Sequence, residues 1–162
     1  MRGGRLHGWF GDRLLAKELW LPTRGSLARG WLVGFPITLV PLLPGQSIFA
    51  AVAALAVRGN LLLCIAMQFL SNPLTAPVHL PVCYFVGEVA RGANLKQAWN
   101  HVWTQPEILV SVHAVISLYL GAAIVGMIGG VLGYAVILQT WRDKPKVKGA
   151  PAKESMPPFG PK

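Results

Sequence analysis

The amino-acid sequence predicts an all-α membrane protein, and three observations carry that reading. Of the 162 residues, 53% are apolar and only 13% charged, with a mean hydropathy of +0.48. A soluble domain is nearer 25% charged. The charges are segregated: Arg58 is the one charged residue between Gly30 and Gly87, and there is none between Ile108 and Trp141. Six basic and two acidic groups lie in residues 1–29, and the same numbers in 142–162, so the net charge of +9 sits mainly at the two ends. Basic flanks around apolar runs suit the anionic inner surface of a membrane. Membrane lipids are therefore the expected partners, and nucleic acid is not. The chain divides into a basic N-terminal segment, 1–25, a membrane domain, 26–141, and a disordered Lys/Pro-rich tail, 142–162.

Residues 9–20 have helical spacing, with Leu14, Leu15, Leu19 and Trp20 on one face beside Arg13 and Lys17. This predicts a short interfacial helix ended by Pro22. The plainer alternative is a helix packed on protein. Arg-Gly pairs at 29–30, 58–59 and 91–92 then bracket two apolar blocks, 31–57 and 60–90. Each is long enough to cross a bilayer, since about 20 helical residues suffice. Each is also broken at its centre, the first by Pro36, Pro41 and Pro44-Gly45, the second by Asn72-Pro73, Pro77 and Pro81. Proline removes a backbone donor and clashes with the preceding turn. Each block is therefore either a kinked or discontinuous span, or a re-entrant hairpin of half-length helices such as 45–57 and 60–70. The hairpin is favoured, because Pro44-Gly45 and Asn72-Pro73 suit tight tips. Either way, residues 88–107 are expected on the side where the chain begins.

A faint repeat at an offset of 33 places Pro44, Arg58 and Gly59 on Pro77, Arg91 and Gly92. That is compatible with two-repeat transporter architecture. Residues 93–107 are polar, with Trp99 and Trp103, and predict a surface connection at headgroup level. The uncharged run 108–141 is long for one span, and a break at Gly121 or Gly129-Gly130 is expected. Gly126-x-x-x-Gly130 lets helices approach closely; it is read as packing rather than a dimer switch, and is the candidate contact if the protein forms an oligomer or larger complex.

No enzyme motif is present: no GxGxxG, GxxxxGK[ST], GxSxG, HExxH or paired carboxylates. The protein is expected to be non-enzymatic. His79 and His113 lie in apolar runs without metal-ligand spacing. They are read as hydrogen-bonded to neighbouring helices rather than as haem or pigment ligands, and no metal or cofactor is expected. Cys64 and Cys83 are read as buried, inert thiols. The informative residues surround the breaks. Non-helical backbone at bilayer depth is tolerated only inside protein or beside a water-filled cavity. Gly45, Gln46, Asn72, Thr75 and Arg58 are the candidate substrate-binding residues. Pro41, Pro44, Pro73 and Pro77 are the structural breaks. Arg58 is also read as a turn at an interface, which lowers the cost of its charge.

Leu19-Trp20, Ser26-x-Ala28-Arg29-Gly30, Gly34-Phe35, Pro41, Pro44-Gly45-Gln46, Arg58-Gly59-Asn60 and Ser71-Asn72-Pro73-Leu74-Thr75-x-Pro77 together resemble a bacterial membrane family catalogued as domain of unknown function 2062. The resemblance covers most of the chain. It implies an integral inner-membrane protein and no particular activity.

The expectation is thus two centrally broken or re-entrant helical segments followed by a C-terminal transmembrane helical region. The protein would lie in the bacterial inner membrane, multi-pass, with both termini cytoplasmic. It would bind or translocate a small or lipidic substrate, anionic in one version, at the mid-membrane breaks. The alternative is an accessory or structural subunit of a membrane complex.

Overall fold

A computed structural model describes residues 17–41, 43–72, 74–104 and 111–143. Those residues are all-helical: α1 Lys17–Trp20, α2 Arg24–Leu39, α3 Gln46–Val57, α4 Leu61–Gln68, α5 Ala76–Ala90, α6 Leu95–Thr104 and α7 Val112–Thr140. Pro73 and the segment 144–162 lie outside the described residues. So does most of the expected interfacial helix, of which only α1 is described; its Leu19 is buried against α3 and α4.

Local chemistry sets the boundaries. Thr23 and Ser26 form a capping box at the start of α2, which satisfies backbone donors that have no helical partner. The side chains of Asn60 and Ser111 cap α4 and α7 through the amides of Leu63 and Ala114. Gly45 opens α3 at φ 70, and Arg58 closes it at φ 53. That left-handed conformation suits glycine and costs any other residue energy.

Helix directions follow from contacts between named residues. The Trp31 indole donates to the Gly129 carbonyl, the Tyr119 hydroxyl to the Pro41 carbonyl, and the Arg24 amide to Asp143. Helix α7 therefore runs antiparallel to α2. Gln46 bonds Ile37 and Arg29 bonds the Arg58 carbonyl, so α3 folds back down α2. The Asn60 amide bonds the Ser26 carbonyl, and Cys64 and Gln68 approach Gly30 and Gly34, so α4 runs parallel to α2. Gly87 lies on Ser117, Gly121 on Cys83, and Arg91 on His113. Helix α5 is therefore also antiparallel to α7, and parallel to α2 and α4.

The two apolar blocks thus differ. Residues 31–57 form a hairpin that returns to its starting end. Residues 60–90 form a discontinuous helix, α4 then α5, that runs the full way to the other end. A single rule for both blocks does not hold, because α4 pairs with Gly30 and Gly34 whereas α5 pairs with Gly87 against α7. The connection 88–107 was expected beside the chain start. Its described part instead lies at the far end of α7 from Arg24 and Asp143.

The run 108–141 carries no break at Gly121 or Gly129-Gly130, since α7 is continuous over 29 residues, about 43 Å at 1.5 Å per residue. Its glycines serve close approach instead. A Cβ on Gly121 would stand 1.7 Å from the Cys83 carbonyl oxygen, and one on Gly126 2.9 Å from Pro36 Cα. Gly130 lies against the Leu32 carbonyl, the group that Pro36 deprives of its helical donor. Gly126 and Gly130 are thereby covered by α2 of the same chain.

Two clusters form the core. Leu39, Cys83, Tyr84, Ala114, Leu118 and Ala122 join α2, α5 and α7. Leu19, Ala50, Ala54, Leu61 and Cys64 join α1 to α4. Alanine and cysteine make up half of the first and three of the five residues of the second. Many of the large apolar side chains point outward, among them Ile48, Phe49, Leu62, Phe69, Val78, Val131 and Leu132, with Leu74 86% exposed.

Candidate functional site

The part of α2 around Pro36, with the neighbouring ends of α3 and α4, gathers polar side chains, Thr38 and Gln68 buried and Gln46 half-buried. Thr38 Oγ1 donates to the Gly34 carbonyl at 2.9 Å. Gln68 Nε2 donates to the Cys64 carbonyl at 2.8 Å and reaches the Gly34 carbonyl at 3.4 Å. Gln46 Nε2 donates to the Ile37 carbonyl at 2.5 Å. Thr38 is 3% and Gln68 7% exposed. The Gln68 amide nitrogen faces two carbonyl oxygens, and only an NH₂ group can do so. That fixes its Oε1 on the opposite side, where it is buried with no hydrogen-bond partner among the described residues. An unmade hydrogen bond of this kind costs about 1–3 kcal/mol. Three helices therefore converge on a polar belt with one open acceptor.

The predicted site residues are distributed around this belt rather than gathered in it. Gln46 belongs to it. Gly45 is exposed at the N-terminus of α3, beside Pro44. Asn72 Oδ1 accepts from the amides of Leu74 and Thr75, and its Nδ2 donates to the Phe69 carbonyl. Thr75 Oγ1 donates to the Leu70 carbonyl. These two residues close the loop between α4 and α5 upon itself. Pro77 stands in the first turn of α5, where a missing N–H is tolerated. Pro41 is buried, its carbonyl held by Tyr119. Arg58 is exposed at the turn after α3, a whole helix away from Gln46.

Sequence reading missed Gln68 and Thr38. A signal was available, because a glutamine four residues after Cys64 on an otherwise apolar helix must find partners inside the bundle.

A second polar cluster closes the other end. Ser117, fully buried, donates to Glu88 at 2.5 Å and accepts from Arg91 at 2.7 Å. Arg91 also reaches the His113 carbonyl at 3.0 Å and His113 Nδ1 at 2.8 Å. Arginine is always protonated, so Nδ1 accepts and the His113 proton is on Nε2. His101 stands 3.6 Å from Glu88. These groups satisfy one another and staple α5 to α6 and α7. His79 bonds the Thr75 carbonyl one turn earlier. Cys64 and Cys83 are buried free thiols. Among the described residues no group of His, Cys, Asp and Glu is placed to hold a metal ion.

Among the described residues every regular element is a helix, and one of them, Val112–Thr140, is long and apolar enough to cross a membrane by length and composition. Residues 7–148 match the family described as an uncharacterized protein conserved in bacteria, domain of unknown function 2062, and the chain belongs to that family. Comparison with curated proteins and with solved structures found no match.

Proposed function

We propose that this is a multi-pass inner-membrane protein that binds or translocates a small or lipidic substrate at the polar belt, without chemistry on it. Packing and spacing support the membrane part. Small residues line the helix contacts and large apolar ones face out, as expected where lipid replaces water. The Arg91–His113 and Trp31–Gly133 contacts are twenty residues of α7 apart, about 30 Å. That equals the thickness of a hydrocarbon core. In this placement 31–57 is a re-entrant hairpin, and the Arg58 end, with Arg24, Arg29 and Arg142, is cytoplasmic.

The observation that carries the binding part is Gln68 Oε1, a buried acceptor without a partner among the described residues, at the C-terminal end of α4 beside the proline-containing α2. An acceptor calls for a donor, so a hydroxyl, amide or ammonium group fits better than a phosphate. The helices on either side of the Arg58-Gly59 and Arg91-Gly92 turns add support. Helices α3 and α5 occupy the repeat and run in opposite directions, as in inverted-repeat transporters.

Cysteine accessibility tests the reading. In a Cys64→Ala/Cys83→Ala background, Gln68→Cys and Thr38→Cys should react with a water-soluble thiol reagent in intact membranes. If both are inert from both sides, the belt is a dry plug. The accessory-subunit alternative would then stand, with the exposed Met127, Ile128, Val131 and Leu132 of α7 as its docking face.

A further inference from the structure

Helix α6 and the last turns of α5 enclose an open groove of about 380 Å³, lined by Phe85, Leu95, Lys96, Trp99 and Asn100. It lies at the Arg91 end of the bundle, away from the polar belt. Trp99 meets Phe85 edge-on at 6.1 Å and Trp103 at 5.8 Å. Leu95, Trp99 and Trp103 are all exposed. The lining is therefore mainly apolar and aromatic, with one amide, Asn100, and one cation, Lys96.

That cation is available. Glu88, the nearest carboxylate along the chain among the described residues, is engaged by Ser117 and His101. Arg91 is held by Ser117 and His113. No ion pair joins Lys96 to a carboxylate among the described residues. A long lysine stem lies on apolar surface while its ammonium stays at the polar level. Paired aromatic side chains mark the same level.

We propose that this groove binds an anionic phospholipid, its phosphate on Lys96 and the first part of an acyl chain along Phe85, Leu95 and Trp99. The inference rests on the membrane placement proposed above. The charge pattern selects the ligand: one ammonium beside an apolar wall complements one anion joined to hydrocarbon. The volume suits a headgroup and the first carbons, at the small end of the roughly 300–1,000 Å³ of small-molecule sites. The open side lets the remaining chain continue into the bilayer.

Bromine-labelled acyl chains quench nearby tryptophan and give the test. The protein is reconstituted in phosphatidylcholine vesicles containing a minor fraction of brominated phosphatidylglycerol or brominated phosphatidylcholine. The Trp99 signal is the difference between wild type and Trp99→Phe. Brominated phosphatidylglycerol should quench it at about fivefold lower mole fraction, the discrimination one lysine contributes at an anionic lipid. Lys96→Gln should abolish the preference and Lys96→Arg should keep it. Lys96 is exposed, so neither change threatens folding, and circular dichroism checks this. Equal quenching by the two lipids in wild type overturns the proposal. So does a preference that survives Lys96→Gln, which would be general surface potential. Displacement by inorganic phosphate also overturns it, assigning the groove to a free anion. A protein that does not float with the vesicles overturns the membrane placement itself, and is read separately by flotation.

Discussion

Replacing Gly121 with alanine should loosen the contact between α5 and α7. The added Cβ would stand 1.7 Å from the Cys83 carbonyl oxygen and 2.8 Å from the Gly87 amide nitrogen. These are backbone atoms and cannot rotate away. Raising 1.7 Å to the roughly 3.0 Å below which such contacts do not occur separates the helices by about 1.3 Å. One turn away, Ser117 bonds Glu88 at 2.5 Å and Arg91 at 2.7 Å. The same displacement carries both beyond hydrogen-bond range. Overpacking costs about 1–3 kcal/mol, and each hydrogen bond to a charged group about 1.5–3 kcal/mol. Glu88 and Arg91 keep some solvent access, which favours the low end of each range, so the expected loss is about 4 kcal/mol. At roughly 2–4 °C per kcal/mol for a chain of this length, Tm should fall by about 8–16 °C. Thermal unfolding in neutral detergent, followed by tryptophan fluorescence, reads this. Gly129→Ala is the matched control, because the atoms nearest its Cβ belong to the Phe35 side chain rather than to backbone. A Gly121→Ala protein as stable as wild type, or more stable than Gly129→Ala, would refute the reasoning.

Three further outcomes are expected. Arg58→Gly should gain about 1 kcal/mol in thermal or denaturant unfolding by releasing a left-handed non-glycine residue, since Arg29 bonds the backbone carbonyl that remains; a loss would show that the side chain holds something. Asn60→Ala should lose about 1 kcal/mol by the same measurement, because its side chain caps α4; no change would mean that the Ser26–Asn60 backbone bond alone fixes the turn. Single cysteines at Lys96 and Arg142 should be labelled from opposite faces of the membrane, and labelling from one face would refute the placement of the two ends.

The breaks were legible in the sequence because proline and glycine act locally. Pro44-Gly45 precedes α3, Asn72 sits between α4 and α5, and the Arg58-Gly59 and Arg91-Gly92 pairs end helices, all within a residue or two of expectation, whereas Arg29-Gly30, Pro36 and Pro81 lie inside helices. Direction was not legible. Whether α5 returns or continues depends on which distant stripe of small residues it meets, and Gly87 and Gly121 meet across thirty-four positions of sequence. Gly121 and Gly129-Gly130 misled as helix breakers. In isolation glycine weakens a helix, but in α7 the close approach of α2 and α5 offsets that weakness. Gln68 was passed over because its partners are backbone carbonyls, which leave no trace in a pattern of side chains.

In the membrane placement proposed above, the hairpin of α2 and α3 has a consequence for the bilayer itself. From Arg29 to Leu39 the chain advances ten residues, about 15 Å, and α3 returns over twelve, about 18 Å. The reversal at Pro44-Gly45 therefore comes roughly halfway through a 30 Å core, with Ile48 and Phe49 exposed just below it. Lipids on that flank would rest on a half-height wall capped by polar backbone. Such a mismatch is relieved by thinning of the adjoining leaflet. The membrane would be dimpled beside α3, and a headgroup there would have about half the usual hydrocarbon depth to cross.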